Sequence, residues 1–449
     1  MIQREEGAIS LAAALIVPLI LLFLAYIFRF AVLARADWET VRLAAAGVEA
    51  ELSGYSRELF DTFGLFAAPM DGSRAKSATG GMTRLAHTVQ SVVGDDTLSA
   101  PGKMKSEIIR HMKLRAPLTM LSDILRRTSR IWGERHTVLS DGSVESAIKN
   151  VTGKHDTRGF LPGAIDLPAG EAREQLEALI EAEISSIYES VVTDMMPADT
   201  YDPGEASTLD FFDPHNLAAI GSQIDRLFHI GEYGVLERLY FAEYALAYFH
   251  QTTPVIYVQT TRVEFRTPDG RSINEFPRSR RFEVEQMIMG GYAEKAKRRT
   301  HNAIRGIRTV IHLTANFADQ GKRAVYMSKA ATLSSAIFIA SVGTVSIPPE
   351  SLLFLFMLRD AVSSAKSDVA KLTRGFGVRF WPNAALELYY PDYLRLMLLL
   401  RTPDQLAEAI YRQINTVCPG SHYTSVEVSV EAANRQVTLN GRFRTRDEE

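Results

Sequence analysis

Ten histidines and a single cysteine are the residues from which metal or thiolate chemistry would have to be built. Their spacing does not build it. The histidines are scattered, with no HExxH pair and no metal-ligand spacing. Cys418 alone excludes an internal disulfide, a CxxC redox pair and a thiolate zinc cage. No GxSxG, GxxxxGKS/T or GxGxxG pattern occurs, so no nucleophile elbow, phosphate loop or dinucleotide fingerprint is legible. His111, His250 and His312 lie on helical stretches, where a lone histidine is more often a hydrogen-bonded structural residue than a ligand. Asp360 and Asp368 are eight apart and could share a helix face, but spacing alone does not make a hydrolase dyad. Lys295, Lys297, Arg298, Arg299, Arg305 and Arg308 could contact phosphate. They lack interleaved aromatics and share an amphipathic pattern with Ile304, Ile307 and Ile311, so a solvated helix face is expected. The reading is of no catalytic residue, no cofactor, no metal, no nucleic acid and no small-molecule ligand.

Composition agrees. In 449 residues, 50 Lys and Arg face 53 Asp and Glu, a net charge of −3, which excludes a strongly basic nucleic-acid binder and a polyacidic tail. Apolar residues make up 46% and charged ones 23%, the proportions of a globular chain with a core. The alternative to a non-enzymatic protein is a membrane-anchored hydrolase whose site is assembled from residues distant in sequence.

The elements that would position any site begin with a short flank, residues 1–6. Gly7 to Phe28 then carries no charge, and at 1.5 Å of rise per residue its 22 residues span roughly 33 Å, the thickness of a bilayer core. A transmembrane helix is expected over 7–28, kinked at Pro18, with Tyr26 and Trp38 suited to the interface. Ala34-Arg35-Ala36 would serve as a signal-peptide cleavage site, but the apolar run is too long and MIQREE too acidic, so an uncleaved anchor in the bilayer is favoured. Arg29, Arg35 and Arg42 outnumber Arg4, which by charge places the C-terminal domain in the cytoplasm.

A helical stem is expected over 29–66, one helix to about Phe60. Ala31, Ala34, Trp38, Val41, Ala45, Val48, Leu52, Tyr55 and Leu59 recur at spacings of three and four, a heptad-like seam. Its packing positions are Trp38, Val41, Ala45, Val48, Leu52, Tyr55 and Leu59, against the chain's own domain or a partner helix. Glu39, Arg42, Glu49, Glu51 and Arg57 fall off the seam and are expected in solvent. The remainder, 67–449, reads as one mixed, mostly helical domain with loop-rich insertions near 69–103, 133–170 and 197–216. Helices are expected within 106–121, over 171–192, Glu232–Phe249, Phe282–Met289, Tyr292–Phe317, Ala324–Ala340 and Leu352–Leu372. One strand runs Val255 to Phe265, closed by Pro268-Asp269-Gly270. Val426, Val428 and Val430, then Val437, Leu439 and Phe443, alternate as a terminal β-hairpin. Ala330 to Pro349 also lacks charge, but six Ser or Thr residues and Pro348-Pro349 argue for a buried helix pair over a second span. The fold class is α+β, predominantly helical, with a small antiparallel sheet.

The N-terminal REEGAISLAAALIVPLILLFLAYIF followed by a long stem resembles the TadE/TadG-like proteins of bacterial tight-adherence pilus loci. GYSRELFDTFGLFA, HMKLRAP, EYALAYF, FEVEQMIMGG, IRGIRTVIHLTAN and PDYLRLMLLL look like the ordered blocks of an uncharacterised membrane-anchored family encoded in such loci. The resemblance implies a single-pass protein of the cell membrane with an extracytoplasmic C-terminal domain, against the charge count. It implies a pilin-like or assembly role beside other membrane or pilus-assembly proteins. Cutting after Gly7 would put Ala12 where type IV pilins carry a glutamate that neutralises the neighbouring amine, which favours a minor component or static partner over a major filament subunit.

Overall fold

The computed structural model describes residues 3–69, 72–80, 87–115, 222, 235–258, 261–267, 270–340, 346–381, 386–432 and 435–443. The loops expected near 133–170 and 197–216 and the helix expected over 171–192 lie outside them. The chain is α+β and predominantly helical, as expected. Its division differs from the expected single domain after residue 66: one compact unit combines 1–107 with 414–449, and a second comprises 108–413.

In the first unit α1 runs Gln3–Ser53 with Pro18 inside it. It stops short of Phe60. Gly54 follows Ser53, and Ser56 starts a new helix, α2 (Arg57–Phe63), by accepting the Leu59 N–H at 3.3 Å. α3 (Ser73–Thr79) and β1 (His87–Thr97) occupy most of the stretch expected to be loop. That stretch is rich in Gly, Ser, Thr and Asp, but Val89, Val92 and a neighbouring strand decide its conformation. β1 pairs antiparallel with β6 (Tyr423–Ala432), and β6 with β7 (Arg435–Arg442), in the order β1-β6-β7. The alternating valines thus form the expected C-terminal hairpin. Their partner is a strand more than 300 residues away in sequence. Val426, Val428 and Val430 pack on Leu43, Ala44 and Val48 of α1 and Ala75 of α3. Gly441 of β7 permits the approach, since a Cβ there would stand 2.2 Å from Val48 Cγ1.

The division between units falls within α4 (Pro101–Arg115) and α11 (Pro403–Val417). The second unit holds α5 (Val235–Tyr248), then β2 (Val255–Val258) and β3 (Thr261–Glu264), which pair antiparallel. The single strand expected from Val255 to Phe265 is instead two paired strands, which the unbroken period-two alternation of the sequence did not distinguish from one. α6 (Glu283–Met289), α7 (Ala293–Ala318), α8 (Gln320–Ala340) and α9 (Pro349–Thr373) follow where helices were expected. β4 (Val378–Arg379) pairs with β5 (Glu387–Leu388), and α10 (Tyr390–Leu399) comes next. After α9 the chain turns at Gly375, whose φ of +88° and carbonyl, bonded by Tyr257 N–H at 2.8 Å, leave 2.4 Å between a hypothetical Cβ and Val255 O. α8 and α9 form the expected pair, but α8 is not buried as expected. Ala330 and Ile337 are enclosed while Val325, Phe338 and Ile339 are exposed.

Candidate functional site

α1 is the helix, among the described residues, that is long and apolar enough to cross a bilayer, with mean hydropathy 2.5 in its most apolar stretch. From Ile16 to Leu33 its large apolar side chains are exposed, Leu22, Phe23 and Phe28 among the most so. A soluble helix would not present such a face to water.

Below that stretch the expected seam divides. Trp38 and Val41 are exposed, 61% and 44%, and Ala45 is half-buried. Arg42 lies over the Trp38 ring at 5.4 Å. Val48 and Leu59 are buried, and Leu52 and Tyr55 are partly so. The face that meets the sheet is Thr40, Leu43, Ala44, Gly47, Val48 and Glu51. These positions lie at i, i+3, i+4, i+7, i+8 and i+11, rotated from the seam so that only Val48 belongs to both.

Glu51 corrects the sequence reading most sharply. Expected in solvent, it is fully buried, and its Oε1 accepts the Ala75 N–H at 2.8 Å. Ala75 lies in the first turn of α3, whose N-cap is Gly72 and has no side chain to satisfy that donor. The carboxylate supplies what Gly72 cannot, at the end of α3 where the helix dipole favours negative charge. Arg42 and Glu49 are exposed, whereas Glu39, also expected in solvent, has a side chain only 18% exposed and takes the Arg35 guanidinium at 2.9 Å.

Among the described residues of the second unit, charged side chains meet in three clusters, two buried and a third partly so. Arg308 on α7 donates to Asp368 Oδ2 of α9 at 2.9 and 2.5 Å and to the Phe380 carbonyl at 2.7 Å, with Tyr393 Oη at 3.4 Å. His312, one turn on, places Nε2 2.7 Å from the same Asp368 oxygen. Burial alone would raise the Asp368 pKa, but the His312 hydrogen bond and the Arg308 charge outweigh it and hold the carboxyl below its usual value. Arg305 and Arg308, expected on a solvated face, are both buried, while Arg298 is exposed. Arg308 lies between Ile304 and Ile311 on the apolar stripe. A cation at that position was the legible sign of a buried partner.

In the second cluster Arg280 grips both oxygens of Glu283 at 2.8 and 3.0 Å and donates to the Tyr248 carbonyl at 3.0 Å. His250 accepts the Phe282 N–H on Nδ1 at 3.1 Å, and its own N–H donates to Glu283 Oε2 at 2.9 Å. Phe282 sits at φ +60°, an uncommon conformation for a non-glycine residue, which these bonds hold in place at the start of α6. Desolvation, with Arg281 and Arg280 nearby, lowers His250 to about 4. Glu285, fully buried, accepts from Thr252 N–H and Tyr390 Oη at 2.8 and 3.0 Å, and burial pushes its carboxyl up. In the third cluster Arg395 pairs with Glu243 and with Asp392 Oδ1, the latter at 2.5 Å. EVE carries Glu283 and Glu285, and neither its spacing nor that of Arg395, Asp392 and Glu243 predicts the pairing.

His111 bonds Tyr248 Oη at 2.6 Å, so all three singled-out histidines have structural partners. Asp360 meets Lys322 at 3.0 Å near the surface, whereas Asp368 is buried about 12 Å along the same helix, so the two do not form a carboxylate pair. Among the described residues, His312 Nε2 meets Arg308 at 3.1 Å and Asp368 at 2.7 Å, and no hydroxyl or thiol is hydrogen-bonded to it. Among them, too, no group of His, Cys, Asp and Glu is placed to hold a metal ion.

No protein-family model, no curated protein and no solved structure matches the chain.

Proposed function

We propose that this chain is a single-span, membrane-anchored, non-enzymatic component of a bacterial tight-adherence or type IV pilus-type system. In this reading it is a pilin-like or assembly protein whose C-terminal domain lies outside the cytoplasmic membrane. The observation that carries the reading is α1 itself: an exposed apolar helix passes without interruption into a stretch packed on a three-stranded sheet. Such a helix transmits the position of its membrane end to the unit it enters, as an assembly component requires. The exposed band at Trp38 and Val41, just past the apolar stretch, is where a helix of another protein would dock.

The test begins with alkaline carbonate washing of membranes, from which an apolar span of roughly 30 Å is not released. Protease added to intact cells should digest the C-terminal domain. A photo-cross-linker at Trp38 should capture a membrane or pilus-assembly protein, and one at Glu49, exposed about three turns further along α1, should not. Full protection from protease in intact cells and capture of nothing at Trp38 would defeat the proposal.

A further inference from the structure

Glu283 and Glu285 sit two residues apart on α6, and among the described residues only Glu283 meets a cation. Arg280 grips both of its oxygens at 2.8 and 3.0 Å, and the His250 N–H donates to it as well. Glu285 is fully buried, and its Oε1 accepts from the Thr252 N–H at 2.8 Å and from Tyr390 Oη at 3.0 Å. Its Oε2, equally enclosed, meets no donor among the described residues. The elements packed on α6 bring no charge to that oxygen. His301 of α7 lies edge-on to the Tyr390 ring at 5.7 Å, and desolvation, with Lys297 and Arg305 nearby, lowers it to about 4, so it is neutral. Tyr390 of α10 stays a donor, because burial and the charge of Glu285 hold its hydroxyl well above the ordinary value. Arg401, beyond α10, binds the Ile288 carbonyl at the far end of α6.

We propose that Glu285 carries its proton at neutral pH, and that loss of this proton is a switch that frees α6 from the 251–253 segment and from the start of α10. All of its groups lie in the second unit, so the switch does not depend on the membrane reading of α1. As a neutral acid, Glu285 offers one carbonyl oxygen to both donors and leaves only a hydroxyl without a partner. As a carboxylate it would leave a charged oxygen in the core with neither donor nor cation, by far the costlier arrangement. The ion therefore needs water, which reaches Oε2 when the elements around it part. α6 is the short element among them, seven residues followed by Gly290 and Gly291 at φ +68° and +79°, where no Cβ resists a change of backbone angle. Burial pushes the Glu285 carboxyl up, against the hydrogen bonds from Thr252 and Tyr390. A raised carboxyl stabilises the closed form fully below its ordinary value, and that contribution is lost as pH rises through the folded value. Rising pH therefore opens the contact, and falling pH closes it.

Infrared spectra of the full chain, native and Glu285→Gln, are recorded from pH 5 to pH 9, with amide hydrogen exchange read at Thr252 and along α6. At pH 7 the native chain is expected to show the C=O band of a buried protonated carboxyl that Glu285→Gln lacks. Opening read by exchange, relative to Glu285→Gln, is expected to rise up to about tenfold per pH unit between the ordinary glutamate value and the folded one. If the substitution removes no such band, Glu285 is ionised and the proposal is overturned. A band that it does remove, with exchange rising alike in both chains, overturns the switch. Should Glu285→Gln not fold, Tyr390→Phe carries the test, since losing a donor that lowers the carboxyl should let the band persist to higher pH. A band that titrates unchanged in Tyr390→Phe belongs to another carboxyl and overturns the proposal.

Discussion

The two units hold their helices by opposite means. In the first, α1 meets the sheet through Leu43, Ala44 and Val48 against three valines, with Glu51 the buried charge in the contact. In the second, α7, α9 and α10 are joined through Arg308, Asp368 and Tyr393, and α5 and α10 through Arg395 and Glu243. Aliphatic contact is non-directional and proportional to area, so it sets how firmly a helix is held. A buried ion pair adds less net stability, because desolvation offsets its attraction, yet losing one partner is costly. The first unit therefore tolerates shape-preserving change and the second does not tolerate loss of a partner.

The largest expected effect comes from breaking one of these pairs. Asp368→Ala strands Arg308 and is expected to destabilise the second unit by about 3–5 kcal/mol, seen as a lowered denaturant midpoint. Asp368→Asn, with one hydrogen-bonding oxygen kept, should lose less. In the first unit Leu43→Ala should cost about 2–5 kcal/mol as a cavity, but Leu43→Met should be nearly silent, since volume is retained. If Leu43→Met is as damaging as Leu43→Ala, shape and not burial governs that contact.

Acid sharpens the contrast. His250 and His301 are lowered from 6.5 to about 4, chiefly by desolvation, so the unfolded chain binds protons between those values that the folded chain does not. Stability of the second unit should fall as pH drops from 6.5 toward 4, by at most about 3 kcal/mol per histidine. Glu285, raised by burial, takes up its proton in the folded state first and offsets part of the loss. Asp368, held low, contributes stability above the ordinary carboxylate pKa that is lost only in stronger acid, as pH falls through its folded value. Thermal melts at stepped pH should show the shallower slope in His301→Phe. An unchanged slope would assign the acid sensitivity to other groups.

A smaller effect separates the packed face of α1 from the seam. Glu51→Ala removes the cap of α3 and should cost about 0.5–2 kcal/mol, whereas Glu49→Ala, exposed on the same helix, should change stability little. Smallest of all, Trp38→Ala should cost within about 0.5 kcal/mol, because its ring is 61% exposed and meets only the Arg42 guanidinium of its own helix among the described residues. Its consequence is expected in partner capture alone.

Much of the fold was legible because its signals are local. The charge-free run of α1, the amphipathic pattern of α7 and the alternation of Val426, Val428 and Val430 are each set by the period of one element. β1 was not legible, since its Gly- and Asp-containing sequence becomes a strand only beside β6. The break at Gly54 was written in Ser53-Gly54-Tyr55-Ser56 but was hidden beneath a seam that continued through it. Of the clusters, Arg308 alone announced itself, as a cation on an apolar stripe.

By itself, then, the sequence determined that a long apolar helix leads into a mostly helical chain without a recognisable catalytic motif. That follows from composition and periodicity, which depend on neighbours within a turn or two. Tertiary structure decided which face of α1 is buried. A rotation of one residue, about 100°, exchanges Leu52 for Glu51, and a helix cannot encode which way the sheet will approach. It likewise decided that Glu51 would find the N–H of Ala75 and Arg308 the carboxylate of Asp368, since partners 24 and 60 residues apart meet only when the chain has folded.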